Sequence, residues 1–141
     1  MNNKHLAMYR YIAQYPGARR LFFNAGVAEN DNIGLEPIFS DAVVKQYVDG
    51  SAIRCYDFAL VVFKDEKDLP NSTENAEDLF DVQQFMEWID TQDKNGNYPD
   101  FGDDCTVLRI RNLQNMPNTA GRDGRHAKYM FQCSVEYFEK V

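Results

Sequence analysis

The feature of this sequence that most constrains its fold is an apolar run, Ala59-Leu-Val-Val-Phe63, which follows a turn signal at Asp49-Gly50. A strand that is apolar at every position is normally covered on both faces, so we expect it to lie inside its sheet. Val43 to Val48 forms a second strand-like run before the turn. Asp-Gly between two such runs favours a type I′ turn, because glycine tolerates positive φ. The sequence therefore predicts a central hairpin.

Two helices are predicted to flank this hairpin in the chain. Residues 3–14 carry apolar side chains at helical spacing and end before Pro16-Gly17. Residues 72–92 show the same spacing on one face and acidic side chains on the other. Asn71 or Ser72 is predicted to cap this second helix, because short polar side chains accept hydrogen bonds from the first helical N–H groups.

Two further strands are predicted near the end of the chain. Residues 106–113 alternate, which places Leu108 and Ile110 on one face and the arginines Arg109 and Arg111 on the other. Residues 129–138 alternate more cleanly, with aromatic and aliphatic side chains at every second position. Residues 21–25 are a weaker strand candidate, and residues 26–35 and 114–127 are expected to form loops.

The order of these elements predicts the fold class. No repeat or Pro/Ser-rich linker divides the chain, so residues 1–141 are expected to form a single domain. Helices and strands in this order favour an α+β fold. We expect a mainly antiparallel β-sheet with a central hairpin packed by two helices, which is an α/β sandwich.

Charge is distributed unevenly along the chain. The net charge is −7, and residues 65–104 hold thirteen acids against two lysines. A field of this sign disfavours tight nucleic-acid binding. The acids of this region that we consider further are Asp78, Asp81, Asp100, Asp103 and Asp104. No apolar run approaches the roughly 20 residues of a membrane span, so no membrane association is predicted.

Catalytic chemistry has little support in the sequence. The three cysteines, Cys55, Cys105 and Cys133, lie in strand-like runs and are interpreted as buried free thiols. A nucleophilic pairing of Cys105 or Cys133 with His126 remains a minor alternative, in which the chain would be an enzyme. No cofactor-binding motif is present in the sequence, and no cofactor is predicted.

An acidic loop after the second helix partly resembles a calcium site. Oxygen-bearing side chains occupy positions one, three, five and twelve of the segment from Asp93 to Asp104. Tyr98 stands at the sixth position, where an EF-hand requires glycine, and the twelfth residue is Asp rather than the usual Glu. A solvated acidic loop is the favoured interpretation, and calcium binding stays open.

Two features are candidates for protein contacts. Arg122, Arg125, His126 and Lys128 cluster basic and titratable groups within seven residues, in a segment that two glycines make flexible. It is either a subunit interface that becomes ordered on contact or a flexible solvated turn. Trp88 lies at the edge of the apolar helical face, where it is either a partly buried core residue or an interaction hot spot.

Four stretches together resemble one protein family. They are Tyr47 to Phe63, Phe85 to Gln92, Tyr98 to Gly102 and Tyr129 to Tyr137. In this order they are similar to the tail terminator family, also described as minor capsid or tail completion proteins, of long-tailed phages and prophages of Gram-positive bacteria. The similar stretches are packing and turn patterns rather than a catalytic signature.

The resemblance implies a function without catalysis. Members of this family are small α/β proteins that form a hexameric ring, cap the growing tail tube and meet the head connector. The implied partners are further copies of the chain, the tail tube protein and the head–tail connector protein. The implied location is the virion, and the host cytoplasm during assembly.

The resemblance also gives the candidate residues roles. The acids Asp78, Asp81, Asp100, Asp103 and Asp104 would face the channel or its rim, and Arg122, Arg125, His126, Lys128 and Trp88 would lie at interfaces. Two alternatives stay open. One is a neck or head-completion protein, and the other is a calcium- or partner-binding module.

Overall fold

Two α-helices and six β-strands make up the described part of the chain. The computed structural model describes residues 3–17, 19–25, 28–65, 73–122 and 125–141. In chain order the elements are α1 (Lys4–Ile12), β1 (Arg20–Phe23), β2 (Asn32–Gln46), β3 (Ala52–Asp65), α2 (Thr73–Lys94), β4 (Cys105–Asn112), β5 (Asn118–Arg122) and β6 (His126–Glu139). This is a mainly-β α+β fold, which confirms the predicted class.

All six strands join one sheet, and β3 lies in its interior. The strand order is β1-β2-β3-β6-β4, with β5 pairing β6 beyond the end of β4. β1 and β2 are parallel, and the other neighbouring strands are antiparallel. β3 pairs with β2 on one side and with β6 on the other, and its residues 58–64 are all buried. The interior position predicted for the apolar run is confirmed.

The turn between β2 and β3 differs from the predicted type I′ geometry. Gly50 N donates to Tyr47 O at 3.1 Å, and Tyr47 N donates to Ser51 O at 2.9 Å. Gly50 has φ +93°, whereas Asp49 is not among the described residues with positive φ. A type I′ turn needs positive φ at both central residues, so this is a three-residue loop that ends in a left-handed glycine. The Asp49 carboxylate accepts hydrogen bonds from Ser51 Oγ and N, which lower the pKa of Asp49.

Both helices contribute to a single core on one face of the sheet. Tyr11 of α1 and Phe85 of α2 are buried there with Phe58 of β3 and Phe131 of β6. The predicted alternation of β6 is confirmed, because Tyr129, Phe131, Cys133, Val135 and Tyr137 are all buried. Each large apolar side chain buried in this way stabilises the fold by about 1.5–3 kcal/mol. The core therefore depends mainly on β3, β6 and the two helices.

The opposite face of β3 explains why its apolar run does not alternate. Ala59, Val61 and Phe63 point away from the helices and are nevertheless buried. A Cβ added at Gly34 of β2 would lie 2.8 Å from the carbonyl oxygen of Ala25 and 3.9 Å from Val61 Cβ. Ala25 therefore packs closely over Gly34 on this part of the sheet, and only glycine fits beneath its carbonyl group.

Three expectations about local structure are wrong. The expected loop of residues 114–127 contains β5, whose exposed residues pair with β6 through the backbone and show no apolar alternation. The expected loop of residues 26–35 contains the start of β2. Leu108 does not share the burial of Ile110, because a register shift between Val107 and Arg109 displaces it. The capping prediction at Asn71 or Ser72 lies outside the described residues.

Replacing Gly50 tests the left-handed turn. We expect Gly50→Ala to lower the free energy of unfolding by about 1–2 kcal/mol, because an L-residue is strained at positive φ. Its Cβ would also lie 3.0 Å from Val141 Cγ2. Gly121→Ala is the control, since a Cβ at Gly121 meets nothing within 4 Å. Urea unfolding measures both, and equal effects of the two substitutions would contradict the assignment.

Candidate functional surfaces

The four residues of the predicted basic segment lie at the end of β5 and around the start of β6. Arg122 ends β5 opposite Ala127, and its side chain lies outside the described part of the structure. Arg125 is exposed, whereas His126 is partly buried, with its Nε2 atom 3.7 Å from Asp65 Oδ1. Lys128 Nζ lies 5.7 Å from the centroid of the Phe63 ring. At least two of these groups are thus engaged within their own chain, at one end of the sheet.

Trp88 packs against the core rather than standing out as a surface anchor. Its ring centroid lies 5.5 Å from that of Tyr15, 5.8 Å from that of Tyr11 and 6.1 Å from that of Phe85. The side chain is half-buried at the seam between α1 and α2. Its position matches the interpretation of Trp88 as a partly buried core residue.

The predicted acidic residues fall into two groups at opposite ends of the sheet. Asp81 lies near Lys64, which pairs with Ala127 at the start of β6. At the other end, Asp104 O accepts a hydrogen bond from Lys140 N, just beyond β6. Thirteen residues of extended chain separate Ala127 from Lys140, about 40 Å at 3.3 Å per residue. Asp100 and Asp103 are exposed close to Asp104 in the chain. The described structure therefore does not join the five acids into one surface.

Asp78 is the acidic prediction that the structure contradicts. Its relative exposure is only 9%. Asp78 precedes Val82 by four residues on α2, so helical spacing places it on the buried face rather than the solvated one. A carboxylate in this position does not present its charge to an aqueous channel, and Asp78 is removed from the set of channel residues.

A buried lysine with two carboxylate partners was not anticipated from the sequence. Lys64 is 5% exposed, and its Nζ lies 2.5 Å from Asp31 Oδ1 and 3.3 Å from Asp81 Oδ2. Burial by itself lowers the pKa of Lys64, but the hydrogen bonds and charges of Asp31 and Asp81 outweigh it, and the pKa is raised. Lys64 thus joins β3 to α2 and to the residue just before β2. An isolated lysine at the polar end of an apolar strand gives no sequence signal for this cluster.

The segment from Asp93 to Asp104, which partly resembles a calcium site, uses its first carboxylate for structural hydrogen bonds. Asp93 Oδ1 accepts hydrogen bonds from Ile110 N at 3.0 Å and from Tyr98 Oη at 2.9 Å. Asp100 Oδ1 accepts a bond from Gly102 N at 2.9 Å. Within the described ranges, no group of three or more His, Cys, Asp or Glu side chains could hold a metal ion.

The structure does not bring the cysteines and His126 together. Cys133 is buried, seven residues along β6 from His126, and its thiol donates to Asn112 Oδ1 at 3.3 Å. Burial raises the pKa of Cys133, and so does the nearby charge of Asp90. Burial also raises the pKa of Cys105, to about 11. A nucleophilic cysteine needs a depressed pKa and an adjacent base, so this geometry does not favour the pairing.

The largest concentration of exposed apolar side chains lies on β2 and the turn that follows it. We define the β2 strip as Ile38, Phe39, Val43, Val44, Tyr47 and Val48, each at least 38% exposed. These are half of the twelve large apolar side chains exposed in the described residues, within eleven positions of sequence. Single exposed apolar residues are ordinary, but a concentration of them on one strand and its turn favours an interaction surface. The strand-like run from Val43 to Val48 contains four of these residues, but its pattern gives no sign that they are exposed.

No protein-family model matches the chain, and no curated protein matches it. No helix in the described residues is long and apolar enough to cross a membrane.

The Lys64 cluster can be tested by removing its two sides separately. We expect the double variant Asp31→Asn, Asp81→Asn to lose about 3 kcal/mol of unfolding free energy, because it leaves a buried ammonium without a counter-charge. Lys64→Met should cost less, about 1 kcal/mol, since both carboxylates are partly exposed and can be solvated. Adding Lys64→Met to the double variant should restore most of its stability. Equal losses of unfolding free energy in the double variant and in Lys64→Met would contradict the assigned role of the cluster.

The same cluster gives a pH dependence with a definite sign. The pKa of Lys64 is raised above its ordinary value of 10.5, so its contribution is fully present below pH 10.5 and is lost as pH rises further. We expect the stability difference between the wild-type chain and Lys64→Met to stay constant from pH 7 to 9 and to shrink above about pH 10.5. Urea unfolding at each pH measures it, and a gap that widens above pH 10.5 would overturn the assignment.

Thiol labelling tests the protonation of the cysteines. A pKa of about 11 in place of 9.0 lowers the thiolate fraction of Cys105 about 100-fold near neutral pH. We expect Cys105 to react with a disulfide reagent at least that much more slowly in the native chain than in urea. Cys133 should react only after unfolding. Rapid native labelling of either residue would instead revive the enzyme hypothesis.

Proposed function

We propose that this chain is a non-enzymatic structural subunit of phage or prophage virion assembly, a tail terminator. In this role it caps the tail tube, joins it to the head connector and works as a hexameric ring. Its partners are other copies of the chain, the tail tube protein and the connector protein. It acts in the host cytoplasm during assembly and remains in the virion.

The observation that carries the proposal is the β2 strip. Six exposed apolar side chains along one strand and its turn are the kind of surface that an assembly subunit buries against a neighbour. An enzyme would instead need a nucleophile with an adjacent base, but Cys133 lies seven residues along β6 from His126, and Cys105 pairs with Glu139 at the other end of β6. The resemblance of residues 47–63 and 129–137 to the tail terminator family gives this general role its specific form.

The sheet architecture is compatible with the same role. In the proposed subunit the two helices and the sheet form an α/β sandwich around the hairpin of β2 and β3. The exposed acids Asp81, Asp100, Asp103 and Asp104 remain candidates for the channel or its rim, where negative charge would repel passing DNA. Arg122, Arg125, His126 and Lys128 remain candidates for contacts with neighbouring subunits.

Deletion of the gene from a lysogen tests the proposal directly. Electron microscopy of induced particles should show abnormally long tails without heads beside filled heads without tails. This result is expected because polymerisation of the tube would lack its stop, and the head would lack its attachment point. Restoring the wild-type gene on a plasmid is the control and should return normal virions.

Two other outcomes would change the conclusion. Tails of normal length that are not attached to heads would indicate a neck or head-completion protein. Normal virions from the deletion strain would overturn the assembly role and leave a partner-binding module as the better hypothesis.

A further inference from the structure

We infer that the β2 strip binds the opposite edge of the same sheet in a second copy of this chain, so that copies associate head to tail. The inference deepens the proposed function and rests on it for the biological setting. Its physical basis is the pairing of two different exposed edges on one chain. We define the β4 edge as Leu108, Leu113 and Met116 together with Arg109 and Arg111.

The two surfaces lie on opposite sides of one subunit. The strand order β1-β2-β3-β6-β4 separates β2 from β4 by two strands, about 15 Å of sheet. β1 pairs β2 only from Asn32 to Leu35, so the rest of β2 has no further strand partner among the described residues. Nine of the twelve exposed large apolar side chains of the described chain belong to the β2 strip or the β4 edge. A contact between unlike surfaces on opposite sides of a subunit builds rings or filaments.

The charges of the two surfaces are complementary. Residues 36–50 contain three acids and one lysine, a net charge of −2, and residues 105–116 contain two arginines and no acid, a net charge of +2. Arg109 already pairs with Glu136 of its own chain at 2.9 Å, so the net positive charge of this edge comes from Arg111, which is exposed. Opposite charge brings unlike surfaces together and penalises contact between two like surfaces. This favours β2 against β4 over β2 against β2.

The contact is made by side chains rather than by adding strand to strand. β2 has three register shifts between Pro37 and Lys45, and proline has no N–H to donate. On β4, the N–H of Ile110 already donates to Asp93 at the end of α2. Both edges are thus partly closed to continuous backbone pairing, which limits open-ended fibre growth. Apolar packing between side chains remains available at both.

The experiment blocks one surface at a time and then mixes the two variants. Val44→Lys places an ammonium in the β2 strip, and Leu108→Lys places one in the β4 edge; the two side chains are 57% and 44% exposed. Burying an ammonium in an apolar contact costs more than attraction between exposed charges returns, so both substitutions oppose association. Leu6→Lys is the matched control, because Leu6 is 42% exposed but lies on α1. Sedimentation equilibrium from about 10 µM to about 1 mM measures the association of each chain.

We expect the wild-type chain and Leu6→Lys to associate with the same affinity, and each edge variant to associate at least about tenfold more weakly. An equimolar mixture of Val44→Lys and Leu108→Lys should form a complex of two chains and nothing larger. Each variant keeps one intact surface, and only the pairing of unlike intact surfaces joins them. Unfolding midpoints equal to that of the wild type establish that the variants are folded. If Leu108→Lys fails to fold, Leu113→Lys, 43% exposed, replaces it.

Three results would overturn the inference. They are a wild-type chain that stays monomeric at about 1 mM, a Leu108→Lys variant that associates like the wild type, and a mixture in which no two-chain complex forms. The second result would indicate a two-fold contact of β2 with β2.

Failure of the inferred contact can be distinguished from failure of the proposed function. Aberrant tails on gene deletion, with no effect of the edge variants on virions, would remove only this contact; normal virions on deletion would remove only the phage role.

Discussion

The pairing of β3 with β6 is the interaction on which the rest of the structure depends. The two strands run antiparallel over fourteen residue pairs, from Ala52 opposite Glu139 to Asp65 opposite His126. Every other strand except β1 is attached directly to one of them, and the helices pack on the face that they share. Residues far apart in sequence must therefore meet before most of the core can form. A topology with such long-range pairing is expected to fold slowly compared with a helical bundle.

The Lys64 cluster shows how a charged group can be kept inside this arrangement. Lys64 is the last buried residue of β3, where the apolar run ends and the strand approaches solvent. Its ammonium finds Asp31 just before β2 and Asp81 on α2, so one charge connects the sheet to the helical layer. Buried ion pairs add little net stability over apolar residues of similar size, but they penalise any arrangement in which the partners fail to meet. We interpret the cluster as a constraint on how α2 sits on the sheet.

The predictions from sequence succeeded for strands whose apolar residues follow a clear pattern. They failed where the pairing of strands decides the structure, and where the spacing of an acidic residue on a helix was not taken into account. The interior position of β3 and the alternation of β6 follow from apolar patterns that only a covered strand can satisfy. β5 has no such pattern. It is a strand only because its backbone pairs with that of β6. Leu108 departs from its expected face because an irregular register cannot be read from alternation. Asp78 was placed by its charge, although its spacing from Val82 already assigned it to the buried face.

The same reasoning explains why the β2 strip was not foreseen. Alternation of apolar and polar residues predicts which face of a strand is buried. Whether a strand lies at the edge of its sheet depends instead on the order of all the strands, which a single segment of sequence does not show. β1 ends its pairing at Leu35, and the eleven further residues of β2 have no strand partner on that side among the described residues. The exposed side chains there would be a liability in an isolated monomer, and the irregular register of β2 reduces only the risk of backbone pairing. A chain whose edge backbone is poorly suited to strand pairing, but whose apolar side chains are exposed, is suited to specific association through side chains rather than to remaining a monomer.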